Sequence, residues 1–286
     1  MSLEGALTAL SQPVNTLIEK IASGVGILYE PTRIRKNAKA QADANKIEAI
    51  SKLEIEDIQK RALSRAVTEE TIKQMNIESV IEKAIPKINQ DAKTEKVDND
   101  WLIKYFEKVR SISDEDMQEL WAKILAGECN NTGSFSKMTL SVVGELDKND
   151  AILFSSLCSC VFKIAGDSHP IIYEANDSEY QALGINYEKL LHLQSLGLIS
   201  FNSISGYKRQ GFEKKALLEY YDKKIILEFP KDKENEFQMG NVLFTQAGKQ
   251  LFTICESKKS DIILSKTLNH FEYKDNIKYG IINNKE

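Results

Sequence analysis

Cysteine and histidine have the widest chemical repertoire in this chain, because they bind metals, act as nucleophiles and carry protons. The 286 residues include four cysteines and three histidines. Cys158 and Cys160 form a Cys-x-Cys pair with no second pair nearby, whereas structural zinc takes four nitrogen or sulfur ligands. On a helix, side chains at this spacing point about 200° apart. The sequence therefore predicts no metal site, and reduced thiols rather than a disulfide framework.

The histidines lie outside recognisable catalytic motifs. Nucleophilic catalysis needs a base beside a serine or cysteine, and neither His169, His192 nor His270 lies in such a motif. Gly24 and Gly26 lack the preceding strand and the Lys-Ser/Thr pattern of phosphate-binding loops. We therefore predict no catalytic residue and no cofactor, and the patterns favour a protein that is not an enzyme.

A basic segment with interleaved aromatic residues is the best candidate for nucleic-acid contact. It consists of Tyr207, Lys208, Arg209, Phe212, Lys214 and Lys215. Lysine and arginine neutralise phosphates, and aromatic rings stack on bases. The chain has a net charge of -4, so nucleic acid would have to bind such a local patch. Because basic loops on acidic proteins are more often simply solvated, nucleic-acid binding is an alternative hypothesis.

An apolar N-terminal segment, Val14–Tyr29, precedes a second group of basic residues. This group consists of Arg33, Arg35, Lys36 and Lys39. An apolar helix followed by basic residues is typical of peripheral contact with an anionic membrane. The favoured alternative is docking on the protein's own body or on a partner chain, because the apolar stretch is short and contains glycine. No basic stretch precedes it, so we expect no signal peptide and a cytoplasmic protein.

The segment Asn37–Ala84 lacks glycine and proline and is rich in strong helix formers. It predicts one or two long helices, which form an arm. Its predicted apolar seam includes Ile58, Ala62, Ala66 and Ile72. The uneven spacing of this seam leaves a sustained coiled coil open. We expect the arm to pack on itself or on a second subunit, and thus a homo-oligomer. Pro86 and the polar run Asn89–Asp100 predict a linker after it.

Three helices with short turns are predicted next, and they favour a helical bundle. Their predicted caps are Ser113, then Ser134 or Ser136, then Asp147. Gly127 is expected to end the first helix in a left-handed conformation. The third is expected over Ala151–Ala165, with Gly166 as its stop.

From His169 onward, short apolar runs indicate strands between helices. Strands are expected at Ile171–Tyr173, Leu198–Phe201, Lys224–Phe229, Asn241–Phe244 and Tyr279–Ile282. Tyr187–Ser195, the Thr245-capped segment Gln246–Cys255 and Asp261–Phe271 are expected to be helices. This order resembles winged-helix domains, in which the basic segment would be the wing.

The predicted fold class is therefore mainly α. An N-terminal long helical arm (1–96) and a helical bundle core (97–166) precede a small α+β winged-helix-like C-terminal domain (167–286).

Three stretches of the chain resemble a bacterial family of unknown function, domain-of-unknown-function family 2806. They are DEDMQELWAKILAGE (Asp114–Glu128), GSFSKMTL (Gly133–Leu140) and LDKNDAILF (Leu146–Phe154). Lys36–Ala49 and Leu243–Phe252 are also similar to it, so the likeness covers most of the chain. The resemblance implies no catalytic residues. Members of such families are often encoded among mobile or defence genes, which makes phage defence or abortive infection a hypothesis.

We therefore expect an interaction or regulatory protein of the bacterial cytoplasm that is not an enzyme. It would self-associate through its helical arm and could bind a further protein partner.

Overall fold

The computed structural model describes residues 11–30, 49–50 and 56–282. The chain divides into two units, Met1–Gly144 and Glu145–Glu286. The first unit includes the long helix and most of the expected bundle. The three-segment division with boundaries at 96/97 and 166/167 remains a prediction.

The described elements of the first unit are helical. They are α1 (Gln12–Val25), α2 (Asp57–Ala84), α3 (Asn99–Val109), α4 (Glu115–Asn130) and α5 (Lys137–Val143), with 3-10 turns at Ile85–Lys87 and Thr94–Lys96. Their core is aromatic: the Trp101 and Tyr105 rings stack at 5.1 Å, and the Tyr105 hydroxyl donates to the Trp121 carbonyl at 2.7 Å. The segment that was expected to be a linker, Asn89–Asp100, is packed against α1. Within it, the hydroxyl of buried Thr94 donates to the Pro13 carbonyl at 2.9 Å.

Helix α4 begins and ends differently from the prediction. The carboxylate of Asp114, not the Ser113 hydroxyl, accepts hydrogen bonds from the Asp116 and Met117 backbone N–H groups. Asp114 has the extended backbone of an N-cap and lies directly before the first helical turn. Gly127 does not end the helix, which continues to Asn130. A Cβ atom at Gly127 would lie 2.7 Å from the Phe135 ring, so glycine here allows close packing.

The second unit alternates helices and strands. Its helices are α6 (Lys148–Cys158), α7 (Ser178–Gln181), α8 (Tyr187–Ser195), α9 (Gln246–Phe252) and α10 (Asp261–Tyr273). Its strands are β1 (Val161–Ile164), β2 (Asp167–Pro170), β3 (Ile199–Phe201), β4 (Tyr207–Phe212), β5 (Lys215–Tyr220), β6 (Lys223–Glu228), β7 (Asn235–Gly240), β8 (Val242–Phe244) and β9 (Lys278–Ile282).

The predicted fold class is wrong because of this second unit. Helix exceeds strand among the described residues, at 51% against 17%, yet a five-stranded antiparallel sheet of order β2-β1-β5-β6-β9 organises the C-terminal half. The expected wing is not a hairpin of its own, because β4 pairs with β7 while β5 pairs with β1 and β6. Residues 145–282 therefore do not form the winged-helix-like arrangement that was expected.

The second error lies where the third helix of the bundle was expected. Helix α6 ends at Cys158, and Val161–Ile164 forms strand β1 instead of continuing the helix. Ala165 and Gly166 have φ values of 50° and 88°, so both residues are left-handed and turn the chain into β2, as short hairpin turns require. The strand expected at Ile171–Tyr173 is not formed, because β2 covers Asp167–Pro170 and ends directly before Ile171.

Several predicted starts are confirmed. The Ser136 hydroxyl accepts from the Thr139 N–H, and the Thr245 hydroxyl accepts from the Gly248 N–H. Asp147 and Asp150 form a reciprocal capping box at the start of α6. Helix caps could therefore be predicted from the sequence, whereas the long-range pairing of strands could not.

Candidate functional site

The N-terminal part of α2, which we call the distal half (Asp57–Met75), contains no buried residue. The same helix is packed into the first unit further on, where Ile77, Val80 and Ile81 are buried. The distal half carries four exposed large apolar side chains: Ile58 (63% exposed), Leu63 (37%), Val67 (37%) and Ile72 (51%). Most of the longest described helix therefore lacks buried residues and presents apolar groups to solvent.

Local interactions help the distal half to form a helix. The Glu56 N–H donates to the Gln59 side chain at 3.1 Å, and Arg65 and Glu69 form an ion pair one turn apart at 3.6 Å. Exposed pairs of this kind contribute only about 0.3–0.5 kcal/mol each. Because most helical stability in proteins comes from packing of an apolar face, the segment would gain stability from a packing partner.

One stripe of α2 runs without interruption from exposed to buried positions. It follows alternating steps of three and four residues through Lys60, Leu63, Val67, Glu70, Gln74, Ile77, Ile81 and Ala84, the spacing of a coiled-coil interface. We call its exposed part, Lys60 to Gln74, the seam. The residues Ile58, Ala62, Ala66 and Ile72, which were predicted to form the apolar seam, are exposed as well. Ile58 and Ile72 lie on roughly the opposite side of the helix from the stripe, and pairing through them stays a prediction.

The seam borders a shallow groove of about 610 Å³ whose lining includes Val67, Glu70 and Gln74. The Gln74 side-chain amide donates to the Leu28 carbonyl at 2.7 Å and to the Glu78 carboxylate at 2.8 Å. Because Leu28 is itself 76% exposed, apolar surface continues beside the end of the seam. This groove is the candidate interaction surface of the first unit.

The predicted nucleic-acid site is placed on strands, and most of its charge is compensated locally. Lys208 lies 2.8 Å from Glu236, Arg209 lies 2.9 Å from Asp167, and Lys214 lies 3.1 Å from Asp232. The hydrogen bond from Lys208 lowers the pKa of Glu236, which keeps that carboxylate ionised. The fourth basic residue, Lys215, forms no ion pair within the described part of the chain, and it is exposed.

The aromatic residues of this segment are not arranged as a stacking platform. Phe212 is buried and its ring stacks on Phe229 at 5.3 Å, while the Arg209 guanidinium lies 5.5 Å from the Phe212 ring centre. Tyr207 is only partly exposed. The structure thus brings the residues near one another without creating an uncompensated basic patch, and nucleic-acid binding stays a prediction.

The predicted membrane or partner contact at Arg33, Arg35, Lys36 and Lys39 lies outside the described residues. Helix α1, which precedes it, buries Val14, Leu17, Ile18 and Ile21 within the first unit. Among the helices of the described ranges, none has the length and apolar character needed to cross a membrane. Peripheral membrane contact remains a prediction.

Comparison with known proteins bears on most of the chain. A family model described as "Protein of unknown function (DUF2806)" matches residues 60–266. The chain belongs to this family. The DUF2806 match begins at the first residue of the seam and extends into the second unit. No curated protein and no solved structure matches the chain.

The cysteines and histidines in the described part of the DUF2806 chain do not belong to a cluster of metal-ligating side chains. Both Cys158 and Cys160 were expected to lie on one helix. Cys158 is instead the last residue of α6, and Cys160 lies beyond it. Within residues 11–30, 49–50 and 56–282, no three His, Cys, Asp or Glu side chains converge as metal ligands would.

The three histidines of the DUF2806 chain have structural surroundings. His169 is buried, neither of its ring nitrogens has a hydrogen-bond partner among the described residues, and burial lowers its pKa. His270 stacks on Tyr173 with ring centres 3.4 Å apart, and burial also lowers its pKa. His192 lies 2.6 Å from Asp150, the residue of the α6 capping box. This last contact ties α8 to α6.

Proposed function

We propose that this protein is an interaction protein that self-associates by pairing the seam of α2 with the seam of a second copy. The observation that carries the proposal is the exposed distal half, whose seam continues the stripe by which the same helix packs into its own unit. A stripe with this spacing accepts another helix in the same geometry.

The order of residues along the seam favours a second copy over an unrelated helix. In an antiparallel pair that crosses at Arg65, Lys60 lies level with Glu70 of the second copy. The same crossing sets Leu63 level with Val67 of the second copy. Two-fold symmetry repeats both layers, so the seam is complementary to itself in charge and in apolar character. This is the isologous pattern of a homodimer.

The interface should be weak. Its apolar centre consists of Leu63 and Val67 from each copy, flanked by solvent-exposed ion pairs that contribute about 0.2–1 kcal/mol each. Contacts of this size fall in the range of transient complexes. We therefore expect a concentration-dependent equilibrium between monomer and dimer rather than an obligate dimer.

Charge exchange across the seam tests the proposal. Lys60→Glu alone and Glu70→Lys alone each replace two attractive pairs by two repulsive ones, and each should weaken dimerisation about tenfold. The double variant restores the attraction and should recover the affinity. Molar mass measured by light scattering over a concentration series of the intact chain reports the equilibrium.

Glu69→Lys is the matched control, because it breaks an ion pair within the helix, with Arg65, at a position off the seam. It should leave dimerisation nearly unchanged. A chain that stays monomeric at every concentration would contradict the proposal, as would a double variant as weak as either single one.

The wider role proposed from the family resemblance is phage defence or abortive infection in the bacterial cytoplasm, where reversible assembly would serve as the regulated step. The support for it is the resemblance alone. Loss of protection against phage in cells carrying the Glu70→Lys variant, and its recovery in the double variant, would link that role to assembly.

A further inference from the structure

A cavity of about 570 Å³ opens beside strands β1 and β5 in the second unit. Its lining includes two cysteines, Cys158 and Cys255, and the ion pair between Lys163 and Glu219, whose charged atoms are 3.0 Å apart. A volume of this size admits small molecules. Two thiols therefore face a solvent-connected space.

The two thiols are neighbours: both line the cavity, and a side-chain hydrogen bond with Cys255 is one of the causes that raise the pKa of Cys158. Neighbouring bonds hold the two segments together: the Ser155 hydroxyl, one helical turn before Cys158, donates to the Glu256 carbonyl at 3.2 Å. On the other side, the hydroxyls of Tyr221 and Ser257 are 2.7 Å apart. The segment that carries Cys255 is thus fixed against α6 and β5.

The environments of the two thiols are unequal. Cys158 is 1% exposed, whereas Cys255 is partly exposed. Burial raises the pKa of the Cys158 thiol, and the hydrogen bond to Cys255 and the charge of a Cys255 thiolate raise it further. Cys158 consequently keeps its proton, and a reagent that enters the cavity reaches Cys255 first.

We propose that Cys255 and Cys158 form a peroxide-sensitive modification site, in which Cys255 is oxidised and Cys158 resolves it to a disulfide. The Cys255 sulfur attacks hydrogen peroxide, the O–O bond breaks, and a sulfenic acid and one water form. The Cys158 sulfur then attacks the sulfenic sulfur, and the departing hydroxyl takes the Cys158 proton as a second water. The thiols lose two electrons, which reduce the peroxide.

Burial, the largest cause of the raised pKa of Cys158, persists after Cys255 is oxidised. The Cys158 proton therefore leaves only in the second step itself, when the departing hydroxyl takes it. The resulting disulfide would join the C-terminal end of α6 to the segment after α9 and remodel the cavity wall. Oxidation would therefore act on the second unit without requiring self-association through the seam.

Peptide mapping by mass spectrometry of the folded, intact chain tests this site. After treatment with hydrogen peroxide, we expect the peptides that contain Cys158 and Cys255 to be linked, with the loss of two hydrogens, and to separate again under dithiothreitol. Cys255→Ser should abolish the link and leave Cys158 unmodified. Cys158→Ser should instead trap Cys255 as a sulfenic acid that reacts with dimedone.

Cys129 and Cys160, which are both buried, serve as internal controls in the same digest. Both should stay reduced while the 158–255 link forms. The proposal is overturned if a link involves Cys160 in place of Cys158, if Cys255 is oxidised only to the sulfinic acid, or if no thiol reacts. It is equally overturned if dimedone labels Cys158 rather than Cys255.

Discussion

Replacing Leu63 and Val67 together by serine is expected to leave the chain monomeric at concentrations where the unaltered chain dimerises. A dimer would lose four apolar side chains from its centre, and full burial of one such side chain contributes about 1.5–3 kcal/mol. Even partial burial makes the expected loss of affinity at least about a hundredfold. Sedimentation or light scattering over a concentration series measures it.

The helix itself provides the control for this change. Ile58 and Ile72 are more exposed than Leu63 and Val67 but lie on the opposite side of α2. The Ile58→Ser/Ile72→Ser variant removes a similar amount of apolar surface and should still dimerise. Equal loss in both variants would show that the helix sticks non-specifically, and the seam would then have no special role.

Replacing Glu128 by alanine is expected to lower the free energy of unfolding of the first unit by about 3–5 kcal/mol. Glu128 is buried, and its two carboxylate oxygens accept from the Gly133 N–H at 2.7 Å and from the Phe135 N–H at 2.9 Å. Hydrogen bonds to a charged group contribute about 1.5–3 kcal/mol each. Their loss leaves two backbone donors unpaired in the turn between α4 and α5.

Both tryptophans, Trp101 and Trp121, lie in the first unit, so tryptophan fluorescence during urea denaturation follows that unit. Glu128→Gln keeps one acceptor but turns an N–H donor towards the second backbone N–H, and we expect an intermediate loss. A change of less than about 1 kcal/mol in the alanine variant, no more than an average point substitution causes, would contradict this role of Glu128.

Local patterns in the sequence predicted much of the helical structure. Asp147, Ser136 and Thr245 are read correctly as caps because the bonds they accept lie within three residues along the chain. Strand β1 was misread because a short apolar run such as Val161–Ile164 fits a helix or a strand equally well. Its pairing with Leu218 and Glu219 is a long-range contact that periodicity cannot express.

The candidate sites also differ in whether they depend on local patterns or on contacts between residues distant in sequence. The basic segment looked uncompensated because its carboxylate partners, Asp167 and Glu236 among them, are distant in sequence. The contact of Cys158 with Cys255 had no sequence signal for the same reason. The seam could have been found, because Leu63 and Val67 continue the stripe of Ile77 and Ile81. The predicted seam through Ile58, Ala62, Ala66 and Ile72 follows another side of the helix, because alanine can also supply helix–helix contacts.

Hydrogen exchange of the distal-half amides tests the pairing of the seam most directly. None of the residues Asp57–Gln74 is buried, so their amides should exchange more rapidly at low protein concentration than those of the buried part of α2. At concentrations where the molar mass doubles, pairing should slow their exchange, while the buried part of α2 near Ile81 exchanges at the same rate. Exchange of Asp57–Gln74 that does not change with concentration would contradict self-association through this segment.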